Sequence, residues 1–237
     1  MKKNQKLLGI IAMVALIGLS MAACDDGGAG GFLGETLNLS GEVWMIDWSY
    51  SGSEQRFTGN LPVTSDLGGN GAITNGQLNF SIGIPFPLGS INNLWLMEVI
   101  EDLYTNINIS NTSVRGAVLD LPLSRMWVSE SDTHFVEESV FYIYVDRDVS
   151  VTGDGGTETD EDVTYTITNL NLNLRQGWNA VHYKVEERLS GGQWTLTVNV
   201  SLNNPSHLRW VLMSGFTGSI NTYSEANKNP ARSFFKR

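Results

Sequence analysis

Cysteine is almost missing from this chain: Cys24 is the single example in 237 residues. One thiol cannot form an intramolecular disulfide, so the fold must be held by packing rather than by cross-links. Basic residues are also scarce, with 15 Lys and Arg against 25 Asp and Glu. Neutralising a phosphate backbone takes clustered cations, so this balance excludes nucleic acid as a natural partner. The charged fraction is 17%, beside 41% hydrophobic residues and seven tryptophans, which excludes a wholly disordered chain. No H-E-x-x-H zinc pattern, G-x-S-x-G nucleophile turn or phosphate-cradling glycine loop occurs. There is no fixed-period internal repeat.

What is present begins at the N-terminus. Lys2, Lys3 and Lys6 surround the start of an apolar run from Leu7 to Leu19, and Ser20, Met21, Ala22 and Ala23 then lead to Cys24. A basic start, a short apolar stretch and small residues before a cut are the parts of a secretory signal peptide, expected over 1–23. The run is too short to cross a bilayer, which takes about 20 apolar residues. Cys24 stands where a bacterial lipoprotein signal places the cysteine that receives a diacylglycerol, and a thiolate is the nucleophile such a thioether requires. Met21 departs from the Leu usual three residues before that cysteine. An ordinary cut after Ala22 is the alternative, and it would leave Cys24 free. Lipid attachment at Cys24 is the better expectation, because an exported chain gains little from one unpaired reactive thiol.

The segment 24–35 carries five glycines after Cys24 and reads as a flexible tether. Removal of the first 23 residues leaves 214, with 12 basic and 25 acidic side chains, and this balance of −13 predicts a body that stands off anionic headgroups. That length suits a single β domain, expected over 36–221, followed by a polar, frayed tail over 222–237.

Period-2 alternation dominates the body. Trp194, Leu196, Val198, Val200 and Leu202 alternate with Thr195, Thr197, Asn199 and Ser201, as in a strand with one face in the core. Leu78, Phe80, Ile82 and Ile84 repeat the pattern after Asn75-Gly76, a pair that favours a tight hairpin turn. Phe141, Ile143 and Val145 lie opposite Tyr142, Tyr144 and Asp146. Apolar residues fall on odd positions at Val163, Tyr165 and Ile167, then on even ones at Leu170, Leu172 and Leu174, so a bulge or break is expected near Thr168-Asn169. Leu96, Val99, Ile100 and Leu103 follow helical spacing and predict one short amphipathic helix over 93–104. Ser51 to Glu54, Asp66 to Gly71 and Thr152 to Asp162 read as loops.

Candidate chemistry is thin. His134, His182 and His207 occur singly and read as surface or satisfied residues. The acidic stretch Asp154 to Asp162 lacks the order of an EF-hand and reads as a solvated hairpin loop rather than a metal site. No cofactor is expected. Trp44, Trp48 and Tyr50 share one side of an extended strand, and Tyr142 and Tyr144 share another, so exposed rings could stack against sugars. Packing into a core is the favoured reading for all five.

The segments Leu39-Ser40-Gly41-Glu42-Val43-Trp44, Gln77-Leu78-Asn79-Phe80-Ser81-Ile82-Gly83, Tyr142-Ile143-Tyr144-Val145-Asp146, Asn169-Leu170-Asn171-Leu172 and Gly177-Trp178-Asn179-Ala180-Val181 resemble a group of uncharacterised spirochaetal, treponemal-type lipoproteins. The resemblance covers most of the mature chain through strand-like blocks. It implies a cell-envelope lipoprotein of unassigned role and supplies no catalytic residue. The expected architecture is mainly β: an antiparallel β-sandwich or partly open barrel of about ten strands with one short helix. The expected role is a non-enzymatic binding or structural domain held to a membrane by its lipid, at the outer membrane or cell surface, with the periplasmic face left open. A carbohydrate or small-ligand binder using the aromatic face is the alternative, and a hydrolase with a site built from distant loops stands behind it.

Overall fold

The computed structural model describes residues 31–47, 53–160 and 163–213. The expected signal peptide, Cys24, Trp48, Tyr50 and the C-terminal tail lie outside the described residues. In chain order the strands are β1 (Phe32–Gly34), β2 (Leu37–Asp47), β3 (Ser53–Arg56), β4 (Leu61–Thr64), β5 (Asn70–Thr74), β6 (Gln77–Ile82) and β7 (Gly89–Ser90). A 3-10 turn at Ile91–Asn93 leads into the helix α1 (Trp95–Leu103). There follow β8 (Thr105–Ile109), β9 (Arg115–Val118), β10 (Ser124–Ser131), β11 (His134–Val145), β12 (Val149–Asp154) and β13 (Gly156–Asp160). The chain then forms β14 (Val163–Ile167), β15 (Leu170–Leu174), β16 (Gly177–Ser190), β17 (Gln193–Leu202) and β18 (Arg209–Met213). The structure is therefore mainly β with one α-helix among the described residues, and its sheets do not close into a barrel, as in a β-sandwich.

The longest strands form the middle of the molecule. β11 and β16 run antiparallel from His134 opposite Arg188 to Val145 opposite Gly177. Tight turns join β10 to β11 through Asp132-Thr133 and β16 to β17 through Gly191-Gly192, whose φ angles of 61° and 85° glycine adopts without a Cβ penalty. The Asn75-Gly76 turn between β5 and β6 is also present, with φ of 50° and 74°.

Both faces of this central sheet are covered, giving two apolar cores. On one face Ile143, Val145, Val181, Val198 and Val200 pack against α1 and a three-stranded sheet ordered β15-β12-β8. Leu96, Met97, Ile100 and Leu103 form the buried stripe of α1, so the expected helix is present within its expected bounds. On the other face Val140, Tyr142, Tyr144, Trp178 and Ala180 meet Leu37, Leu39, Leu78 and Phe80. The second core forms because β2 belongs to two parts of the sheet. Its Leu37–Glu42 half pairs with β6, and from Val43 it pairs parallel with β18. The handover falls at Gly41, where φ is +141° and the Trp210 indole closes over the backbone.

Three local expectations are corrected. Within the stretch Thr152 to Asp162, expected as a loop, the described residues form strands: Val149–Asp154 belongs to the small sheet and Gly156–Asp160 is an edge strand of the large one. The matching break at Thr168-Asn169 lets β14 and β15 make the same crossing, and Asn169 Oδ1 accepts the Gly155 N–H at 3.0 Å to staple the two bends together. A reading from one strand's pattern could not place that partner. Two pairings, β14 with β17 and β18 with β2, are parallel rather than antiparallel. Finally, the end of the glycine-rich segment is ordered: Phe32 and Gly34 pair with Asn179 and Trp178, and the Ala180 N–H donates to the Gly31 carbonyl at 2.6 Å. Of the segment 24–35 the part from Gly31 is therefore held by the hydrogen bonds of β16, and 24–30 lies outside the described residues.

Candidate functional site: a histidine–glutamate cluster on the central sheet

The aromatic residues singled out in the sequence do not assemble into an exposed platform among the described residues. Tyr142 and Tyr144 are both 4% exposed. Tyr142 stacks on Trp210 with ring centroids 6.1 Å apart, and its hydroxyl accepts from Arg125 Nη1 at 3.2 Å. Tyr144 meets Trp178 edge-on at 5.6 Å. They fill the core because the β2–β6 wing covers their face of β11, which local alternation cannot reveal. Trp44 is half-buried, and the Arg209 guanidinium sits 4.5 Å from its ring while also binding Glu54 at 2.8 Å.

All three histidines instead gather on one polar stretch of the central sheet. Beyond Val140 and Ala180 the face that carries the second core turns from apolar to charged. Even positions on β16 bring His182, Lys184, Glu186 and Arg188 to this face, and the antiparallel register sets Glu138 opposite Lys184 and His134 opposite Arg188. Glu138 is the centre. Its Oε2 lies 3.2 Å from His182 Nε2 and 2.8 Å from His207 Nε2, and its Oε1 lies 3.4 Å from Lys184 Nζ. Lys184 also reaches Glu186 at 3.3 Å, and Glu186 in turn binds His134 at 3.1 Å and Arg188 at 2.7 Å. Trp127 stands edge-on to the His207 ring at 5.7 Å.

Burial and charge oppose each other here. Burial of Glu138 works to raise its pKa, but the His207 hydrogen bond and the charges of His182, His207 and Lys184 outweigh it and hold the carboxyl below its ordinary value. Burial holds His182 below the usual imidazole value even though Glu138 pulls the other way. Glu186 is brought down to about 2, chiefly by its hydrogen bond from Arg188, with His134 and Lys184 adding to the effect. At neutral pH the result is an ionised, nearly buried carboxylate held by a neutral imidazole, an exposed imidazole and an ammonium.

Comparison with protein-family models, curated proteins and solved structures finds no match to this chain. Chemistry must therefore be read from the geometry alone. Both imidazole Nε2 atoms are turned onto the same Glu138 oxygen, so their shared contact is the carboxylate rather than a hydroxyl nucleophile. Among the described residues no group of three His, Cys, Asp or Glu side chains has the geometry to hold a metal ion. The arrangement is a hydrogen-bonded clamp on one ionised carboxylate, with Lys184 as its ion pair. It fastens the segment before β18, through His207, to the middle of the β11–β16 ladder. The signal for it was present in the sequence as the alternation His182, Lys184, Glu186, Arg188, but the partner Glu138 lies 44 residues from His182 and only the strand register brings it near.

Proposed function

We propose that this protein is an envelope lipoprotein, attached to a membrane through a lipid on Cys24, whose β body serves as a non-enzymatic binding or structural module. The observation that carries the reading is the position of the sole cysteine: it follows a basic start, an apolar run and small residues in the order of an export signal, and it precedes by seven residues Gly31, where the chain is taken into the sheet. An anchor so close to a packed body suits a domain held at a membrane surface, and the resemblance to spirochaetal lipoproteins agrees with it. The outer membrane or the cell surface is the proposed location. The principal side-chain cluster, centred on Glu138, is spent on internal hydrogen bonds and an ion pair to Lys184, which favours an interaction module over a hydrolase.

The test is mass spectrometry of the mature product after expression of the whole chain with its own leader in a bacterial host. The expected N-terminus is Cys24 carrying a diacylglyceryl thioether, with residues 1–23 removed. Cys24→Ser should abolish both the modification and partition into the detergent phase. An unmodified thiol at position 24, or a retained leader, refutes the reading.

A further inference from the structure

Among the described residues three large apolar side chains are exposed: Phe32 at 38%, Ile84 at 67% and Phe86 at 80%. All three stand at one end of the molecule. Phe32 lies in β1 opposite Asn179, and the next pair along is Gly34 with Trp178. The Trp178 indole N–H donates to the Gly83 carbonyl at 2.9 Å, which brings the segment 83–89 to the same place. That segment is held from beneath: Pro85 is buried, the Phe86 N–H donates to the Leu67 carbonyl at 3.2 Å, and Arg115 donates to the Leu88 carbonyl. Ile84 and Phe86 therefore project outward from a supported base. Exposed apolar groups gathered in one place mark a surface that meets something apolar.

The chain outside the described residues says what that is. Six residues separate Cys24 from Gly31, and Gly31 is bound to Ala180 beside this same end. Seven residue steps reach at most about 25 Å when fully extended, and about 15 Å as a glycine-rich coil. The fourteen residues of β16 span roughly 45 Å at strand rise. A lipid on Cys24 consequently keeps this end, and not the far one, against the bilayer.

We propose that Ile84 and Phe86, with Phe32 beside them, form a bilayer-contact surface that enters the boundary between headgroups and acyl chains once the lipid holds the chain. The inference rests on the lipid attachment at Cys24 argued above and adds to it an orientation. The occupant is the membrane surface itself, since two or three side chains are a weak contact alone and become effective when an anchor removes the cost of encounter. Arg115, Arg147 and Arg175 stand at the same end beside Asp146 and Asp148, with Arg147 paired to Asp146, so charge is balanced there and the apolar side chains carry the contact.

The test uses the whole chain, processed from its own leader and reconstituted in vesicles of phosphatidylcholine with phosphatidylglycerol. Lipidated Cys24 has no free thiol, so Phe86→Cys carries a single maleimide fluorophore sensitive to polarity. Ile84→Cys is a second reporter, and Asp132→Cys, in the turn at the opposite end of β11, is the control. The reporters at 84 and 86 should brighten roughly threefold and be quenched by lipids labelled near the headgroup, whereas the one at 132 should not change. Reporters at 84 and 86 as water-exposed as that at 132, on chains shown by mass to be lipidated, overturn the contact and leave the anchor standing. Two labels per chain, one of them on Cys24, refute the anchor and the contact with it.

Discussion

Glu138→Gln tests the clamp directly. The substitution keeps the shape of a side chain that is 8% exposed and removes its charge, so packing changes little and the loss is electrostatic. His207 is 53% exposed and Lys184 34%, and such screened pairs contribute about 0.5 kcal/mol each. The bond to His182, itself 8% exposed, is a buried hydrogen bond to a charged group and contributes about 1.5–3 kcal/mol. The glutamine amide recovers part of this, and relief of the buried charge recovers more. A net loss of about 2 kcal/mol remains, equivalent to a fall in Tm of roughly 4–8 °C for a domain of this size.

The pH dependence has a definite sign. His182 is held below its ordinary value in the folded chain, so the unfolded chain binds its proton first, near pH 6.5. Stability is level above that pH and falls below it. Without Glu138 the imidazole is harder still to protonate in the fold, so the variant loses stability more steeply and its gap from the parent widens between pH 7 and pH 5. Melts followed by far-UV circular dichroism at pH 8, 7, 6 and 5 measure this. Glu186, held at about 2, loses its own contribution only as pH falls below its unfolded value near 4.5, so this range keeps the two effects apart. A variant that melts within about 1 °C of the parent at pH 7, or a gap that closes on acidification, would sink the reasoning.

Other consequences follow from the same packing. Trp178→Phe deprives the Gly83 carbonyl of its indole donor and should cost about 1–3 kcal/mol. Hydrogen exchange at the Phe86 amide, which donates to the Leu67 carbonyl, should then be faster than in the parent, and unchanged melting and exchange would show that the bond holds nothing. Gly155→Ala places a methyl group into the Ile167 carbonyl where the ribbon crosses between sheets, while a methyl at the neighbouring Gly156 meets nothing within 4 Å. Denaturant unfolding should show a loss of about 1–3 kcal/mol for the first and little for the second, and equal losses would mean that the crossing is not tightly built.

Alternation was enough to place β6, β14, β15, β17 and the end of β11, and helical spacing enough to place α1, because each pattern reflects burial on one side of a single element. The slip between Ile167 and Leu170 also announced its break correctly. Patterning failed where burial depends on a distant layer. Tyr142 and Tyr144 read locally either as packed, the favoured reading, or as an exposed aromatic face, and only the β2–β6 wing folding over them shows them packed. The Thr152 to Asp162 stretch looked like a loop because its polar residues form an edge strand, which buries little of its own surface.

The sequence by itself determined a basic start before a short apolar run, a single cysteine after it, and a β body built without internal disulfides, since each of these rests on residue types and short-range order. Only the tertiary structure decided that three separate histidines share two carboxylates, and that Ile84 and Phe86 stand at the end of the molecule where Phe32 enters the sheet. Those neighbours lie tens of residues apart in the chain, and strand register, fixed by burial of whole sheet faces, is what brings them together.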